Sequence, residues 1–202
     1  MASRVLLISI NQYDFPYPVF PLGAAHVQAA LRRAGHEVLL VDWNTDQRPA
    51  AEIASAFGPD LVGISLRNID DALIQRKQTF FDGLRSLCAD VRRSTRAPIV
   101  LGGSGFSIFP EELLRLSTAD YGIQGEGEQP LLALLDALHN GTPLDAVSGL
   151  VRRDGDRIVV QTRHAATPAA EITAAERTDA LAAYYLEKTS MLNVQTQRGC
   201  AL

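Results

Sequence analysis

The stretch Ile99–Leu114, IVLGGSGFSIFPEELL, decides the fold. Its opening Ile-Val-Leu run is short, aliphatic and uninterrupted by polar residues, the pattern of a strand buried on both faces. Three glycines follow within four positions, at Gly102, Gly103 and Gly105. Pro110 then opens a helical pattern over Pro110–Leu116, at a position where its missing N–H does no harm. A strand passing through a glycine loop into a helix is the repeating unit of a parallel sheet.

Outward from this stretch the unit recurs. Strands are expected at Arg4–Ile10, Glu37–Val41, Leu61–Ser65, Pro98–Leu101 and Tyr121–Ile123. Helices are expected at Leu22–Ala34, Arg48–Phe57, Asp71–Thr95, Pro110–Leu116 and Pro130–His139. Five such units are too few for an eight-stranded barrel. They predict an α/β, flavodoxin-like (Rossmann-like) five-stranded parallel sheet, order 2-1-3-4-5, with helices on both faces. Beyond Gly141 the pattern changes: Val147–Val151 and Arg157–Gln161 flank Asp154-Gly155, a tight-turn signal, and predict a hairpin. His164–Ala175 reads as an exposed linker, Thr178 as the cap of a short helix to Glu187, and Met191–Thr196 as a return to strand. The expected division is 1–145, 146–190 for hairpin and linker, and 191–202.

Composition narrows the partners. The 202 residues are 47% hydrophobic and 21% charged, with a net charge of −4. That balance suits a globular chain and disfavours bulk electrostatic binding to nucleic acid. No apolar run approaches the roughly 20 residues that cross a bilayer. Two cysteines give no disulfide framework, so a reducing cytoplasm is the expectation.

In a doubly wound sheet, ligands bind beyond the carboxyl ends of the strands. The loop after the first strand, NQYDFPYPVFP (11–21), forms a stiff apolar wall that includes Tyr17. The third-strand loop carries Ser65, Leu66, Arg67 and Asn68, and a helix cap explains Asn68 better than it explains Arg67. The fourth carries Gly102, Gly103 and Ser104, and lacks the Gly-Lys-Ser/Thr of a Walker A loop. The fifth carries Gly125, Glu126 and Gly127 ahead of Glu128. Its two glutamates disfavour a bare phosphate and suit amides, hydroxyls or a ribose.

Together, FPLGAAHVQAALRRAGHEV (20–38), DLVGISLRNID (60–70), Ile99–Leu114 and YGIQGEGEQPLLALL (121–135) resemble the cobalamin-binding domain of cobalamin-dependent radical S-adenosylmethionine enzymes. The resemblance covers about residues 4–145 and extends into NVQTQRGCAL (193–202). It implies that Tyr17, Ser65, Leu66, Arg67 and Asn68 border the corrin. Gly102, Gly103, Ser104, Gly125, Glu126 and Gly127 would line the groove for the nucleotide tail. Leucine at Gly103 is expected to obstruct that tail with modest loss of fold stability. The resemblance further implies that Cys200 is the first cysteine of a Cys-x3-Cys-x2-Cys set holding a [4Fe–4S] cluster. Residues 191–202 would then be the first strand of a radical barrel cut inside that motif, and the fragment alone would not turn over.

One departure stands out. The family's Asp-x-His-x-x-Gly pattern after the first strand is absent, because Asp14 is followed by Phe15-Pro16-Tyr17. The four histidines, His26, His36, His139 and His164, lie elsewhere and read as structural or solvated, and Cys88 as a small core residue. The implied activity is methyl transfer to an unactivated carbon of a small-molecule or peptide substrate held by the missing barrel, with cobalamin and S-adenosylmethionine as cofactors. Alternatives are radical cyclisation or rearrangement, a non-catalytic cobalamin carrier or sensor, and a flavodoxin-like regulatory or nucleotide-binding domain.

Overall fold

The computed structural model describes residues 1–10, 12, 17–68, 81–163 and 174–195. In chain order, β1 (Arg4–Ser9), α1 (Leu22–Arg33), β2 (Glu37–Asp42), α2 (Ala50–Phe57) and β3 (Leu61–Ser65) come first. Then follow α3 (Phe81–Ser94), β4 (Ile99–Gly102), α4 (Ser104–Ile108), α5 (Pro110–Leu116), β5 (Tyr121–Ile123) and α6 (Glu128–Asn140). The chain continues through a 3-10 turn (Leu144–Ala146), β6 (Leu150–Asp154) and β7 (Arg157–Val160) to α7 (Asp179–Thr189).

The expected parallel order holds and is then extended. The sheet runs β2-β1-β3-β4-β5-β6-β7, with the first five strands parallel and β6 and β7 antiparallel. Among the described residues the sheet therefore has seven strands rather than five. The hairpin joins the same sheet because β5, only three residues long, leaves an open edge that Leu150–Arg152 fills. The expected strand over 191–196 is not formed at 191–195, which is irregular. A strand exists as one side of a ladder, and among the described residues no neighbour pairs with 191–195. Residues 71–80 of the expected third helix, and 164–173 of the expected linker, lie outside the described residues.

Alternation along the strands builds two layers. Leu6, Ile8, Val62, Ile64, Ile99 and Leu101 face α2, α3 and α5 in one apolar core. Val5, Leu7, Leu61, Val100 and Ile123 face α1 and α6 in the other. Cys88 is fully buried in the first core, and burial pushes its thiol pKa up to about 12. A third, smaller cluster joins Phe20, Ala25, Leu181 and Tyr185, docking α7 against α1 and the start of that helix. Thr178 caps α7 by accepting from the Leu181 N–H, as its sequence position predicts. Among the described residues, no helix is long and apolar enough to cross a membrane.

Candidate functional site

The parallel register sets small residues side by side at the carboxyl end of the sheet. Ser9 pairs with Ser65, and Ser65 with Gly102, so one row across β1, β3 and β4 carries no large side chain. The next row inward is Leu7, Gly63 and Val100. By the two-residue period, both rows face α1 and α6. A trough results, with α1 and α6 as banks and a floor that glycine and serine keep low.

Two glycines in the fourth loop serve different ends. Gly103 has φ +97°, and a Cβ there would sit 2.5 Å from the Leu66 carbonyl oxygen. Only glycine fits this backbone. The structure thus corrects the expectation of modest stability loss at Gly103, since the conflict is with backbone rather than with a ligand. Gly102 is the opposite case: a Cβ would meet only the Ile123 carbonyl, at 3.9 Å.

The short helix α4, which the sequence reading missed, ties the loops together. Ser104 donates its hydroxyl to the Arg67 carbonyl at 2.9 Å, joining the third and fourth loops. Ser107 donates to the Gly103 carbonyl at 2.9 Å and accepts the Gly125 N–H at 2.9 Å, joining the fourth and fifth. Phe106, fully buried, anchors the helix, and its ring fills the space a side chain at Gly122 would need.

The cleft over this floor has a volume of about 1370 Å³. That exceeds the roughly 300–1,000 Å³ of ordinary ligand pockets. Ser65, Arg67, Gly102, Gly103, Ser104, Gly125, Glu126 and Gly127, all singled out from the sequence, line it. Leu66, Asn68 and Tyr17 do not. Leu66 points the other way, into the core beneath α3 and α5, because neighbouring residues on an extended segment alternate faces. The Asn68 backbone lies close against Gly105. Tyr17 is 44% exposed to solvent. Cys200 lies outside the described residues.

The structure adds residues the sequence reading missed. Ser9 and His26, the hairpin-flanking Ser148, Thr162 and Arg163, and Asn193–Gln195 after α7 also line the cleft. Ser9 carried a signal: it ends a strand whose spatial neighbour also ends in serine. The other residues come from segments that meet only in the folded chain. Charge is mixed, with Arg67 and Arg163 against Glu126 and Glu128. His36 lies away from the cleft, accepts the Ser3 N–H at Nδ1, and has its pKa lowered mainly by burial.

These features fit a large ligand bearing amides and a tail. The low floor admits extended contact, the loop carbonyls and hydroxyls offer both hydrogen-bond senses, and neither charge sign dominates. A cobalamin meets that description, with primary amides around its corrin and a nucleotide tail. Among the described residues, no group of three or more His, Cys, Asp or Glu could hold a metal ion directly.

Comparison with known proteins agrees. The B12 binding domain family matches residues 9–135. The tryptophan 2-C-methyltransferase of Streptomyces laurentii is 32% identical over 152 residues, covering 72% of this chain and 24% of that protein. The cytidylyl-2-hydroxyethylphosphonate methyltransferase of Streptomyces wedmorensis is 25% identical over 178 residues, covering 76% of this chain and 32% of that protein. The solved structure of the radical S-adenosylmethionine methyltransferase TsrM from Kitasatospora setae, with cobalamin and a [4Fe–4S] cluster bound, superposes with a TM-score of 0.73. It is 28% identical, over 87% of this chain and 32% of that one. The chain therefore spans about a quarter to a third of the length of these relatives.

Proposed function

The chain belongs to the B12-binding domain family, and on that premise we propose that it is the cobalamin-holding part of a radical S-adenosylmethionine methyltransferase acting on carbon. The observation that carries this is the trough: three adjacent strands ending in Ser9, Ser65 and Gly102 on one face, between α1 and α6. Likeness to methyltransferases over most of the chain supports the reaction class.

In this reading, Ser65 at the end of β3 would border the corrin, and the α4 serines hold the three loops at a fixed spacing. Gly102, Gly125 and Gly127 leave backbone room for the nucleotide tail, while Gly103 holds the loop in shape. Arg67, just beyond the carboxyl end of β3, lines the cleft and would border the corrin. A guanidinium stays protonated and has no lone pair, so it guards that side without ligating. Bound there, cobalamin supplies a cobalt centre able to carry a methyl group. The apolar inner rows of the trough exclude water from the tail.

Cys200 is the proposed first ligand of a [4Fe–4S] cluster that binds S-adenosylmethionine, an arrangement needing two further cysteines. The 202-residue chain should accordingly bind cobalamin without turnover. Titration with hydroxocobalamin followed by gel filtration tests the binding. Co-elution of corrin absorbance with the folded protein is expected, and free passage of the corrin would overturn the assignment.

A further inference from the structure

The chain that leaves α7 returns to the cleft along a path that the fold holds at several points. Tyr185, 1% exposed, docks the helix, its ring meeting Phe20 edge-on with centroids 5.4 Å apart. The Tyr185 hydroxyl lies 2.5 Å from the Asp42 carboxyl and 3.0 Å from the Asn44 side-chain amide. Ahead of α7, Glu176 pairs with Arg32 and donates its backbone N–H to the Ala25 carbonyl at 3.3 Å. Past its end, Ser190 takes φ 55° and turns the chain, and the Thr189 hydroxyl accepts the Met191 N–H at 3.1 Å. Leu192 then packs on the Phe20–Tyr185 cluster.

Arg177 joins the two ends of this path. Its guanidinium lies over the Phe20 ring, 5.5 Å from the centroid, and donates to the Asn193 carbonyl at 2.6 Å. A planar guanidinium carries its donors in a fixed fork, so one group can stack on a ring and still donate to a carbonyl beside it.

Phe20 lines the cleft together with its chain neighbours Val19, Pro21 and Leu22. Through Arg177, Asn193 is held next to this apolar part of the lining, and it lines the cleft as well. The core gains little from that placement, because Asn193 is exposed and Val194 after it is 75% exposed. What the contact does supply is a carboxamide at the cleft, a group that both donates and accepts.

We propose that Arg177 is a positioning residue for ligand binding: by holding the Asn193 backbone, it sets the Asn193 side-chain amide as a hydrogen-bonding contact to the ligand. A side chain fixed before the ligand arrives saves part of the ordering cost of association. The inference rests on the cobalamin reading, whose corrin carries primary amides able to pair with Asn193 in both senses.

The test is a double-mutant cycle, read by equilibrium titration of the 202-residue chain with hydroxocobalamin. Arg177→Gln and Asn193→Ala should each weaken binding about threefold to tenfold, the effect of losing one hydrogen bond. Because Arg177 acts through Asn193, the double variant should bind no more than about twofold more weakly than Asn193→Ala. Asn193→Ala changes an exposed side chain and keeps the carbonyl that Arg177 holds, so it should melt with the wild type and report on the contact even where Arg177→Gln loosens α7. Failure of the wild type to bind hydroxocobalamin would overturn the cobalamin reading and this contact with it. With wild-type binding intact, unchanged affinity in Asn193→Ala would overturn the contact alone. Unchanged affinity in Arg177→Gln, or losses that multiply in the double variant, would overturn the positioning role of Arg177.

Discussion

Gly102 and Gly103 are neighbours in sequence with opposite duties, and two substitutions separate them. At Gly102 the backbone is that of a strand end, and an added Cβ finds only the Ile123 carbonyl at 3.9 Å. Alanine there should leave the fold intact, or stabilise it by about 0.5–1 kcal/mol, because glycine in a strand carries excess conformational entropy when unfolded. For a chain of this size, that raises the melting temperature by about 1–4 °C. Gly102→Leu, reaching from the floor into the cleft, should weaken hydroxocobalamin binding by about tenfold to a hundredfold, or about 1.4–2.8 kcal/mol. At Gly103 the ledger inverts. Alanine would have to adopt φ +97° and ψ 171°, costing about 1–3 kcal/mol, with its Cβ 2.5 Å from the Leu66 carbonyl oxygen. Relieving that overlap adds about 1–3 kcal/mol, so melting should fall by roughly 5–20 °C. Thermal melts and equilibrium titration with hydroxocobalamin read both quantities on the same samples. Wild-type affinity in a folded Gly102→Leu protein would refute the placement of the ligand on this floor. Wild-type melting of Gly103→Ala would refute the backbone argument.

Three other perturbations follow from the geometry. Ser107→Ala removes the hydroxyl shared by Gly103 and Gly125 and should cost about 1–3 kcal/mol of stability by leaving the Gly125 N–H without its acceptor; unchanged melting would show that water replaces it fully. Burial raises the pKa of Asp42 above its unfolded value, so its contribution to stability is fully present below about 3.8 and is lost as pH rises through the folded pKa. Asp42→Asn lacks that loss, and its melting temperature relative to wild type should climb as pH rises from 3.5 to 7; a flat difference refutes the sign. At Arg67, electron paramagnetic resonance of the bound cobalt(II) form should show no nitrogen splitting in the wild type, and splitting there would refute the proposed role of Arg67.

Much of the sheet could be read from the sequence because its strands are buried on both faces. Leu61–Ser65 and Tyr121–Ile123 fall where their apolar runs place them, and α5 begins at the proline that marks it. What escaped was short or relational. Ser104–Ile108 is a single helical turn and a half, too brief for a periodic stripe, yet it fastens three loops. Leu66 entered through the resemblance, although alternation sends it to the opposite core. Ser9 joins the site through its lateral register with Ser65, and a linear reading carries no lateral register. The hairpin was read correctly as a hairpin, but its attachment to β5 depends on an edge being open, which is a property of the assembled sheet.

That attachment bears on how the protein behaves at high concentration. A bare strand edge offers a row of free N–H and C=O groups on which another molecule can build. Without the hairpin, β5 would be such an edge, flanked by the apolar surfaces of Val151 and Leu150's former contacts. With it, the outermost strand is β7, four residues long and opening on a charged Arg157. The hairpin also reaches around the rim: Arg153 donates to the Leu114 and Ser117 carbonyls that end α5. A chain ended near residue 145 would keep every residue of the glycine loops and still be prone to associate edge to edge. Such a chain would also lose Ser148, Thr162 and Arg163 from the cleft, so the hairpin closes the edge of β5 and completes the cleft wall together.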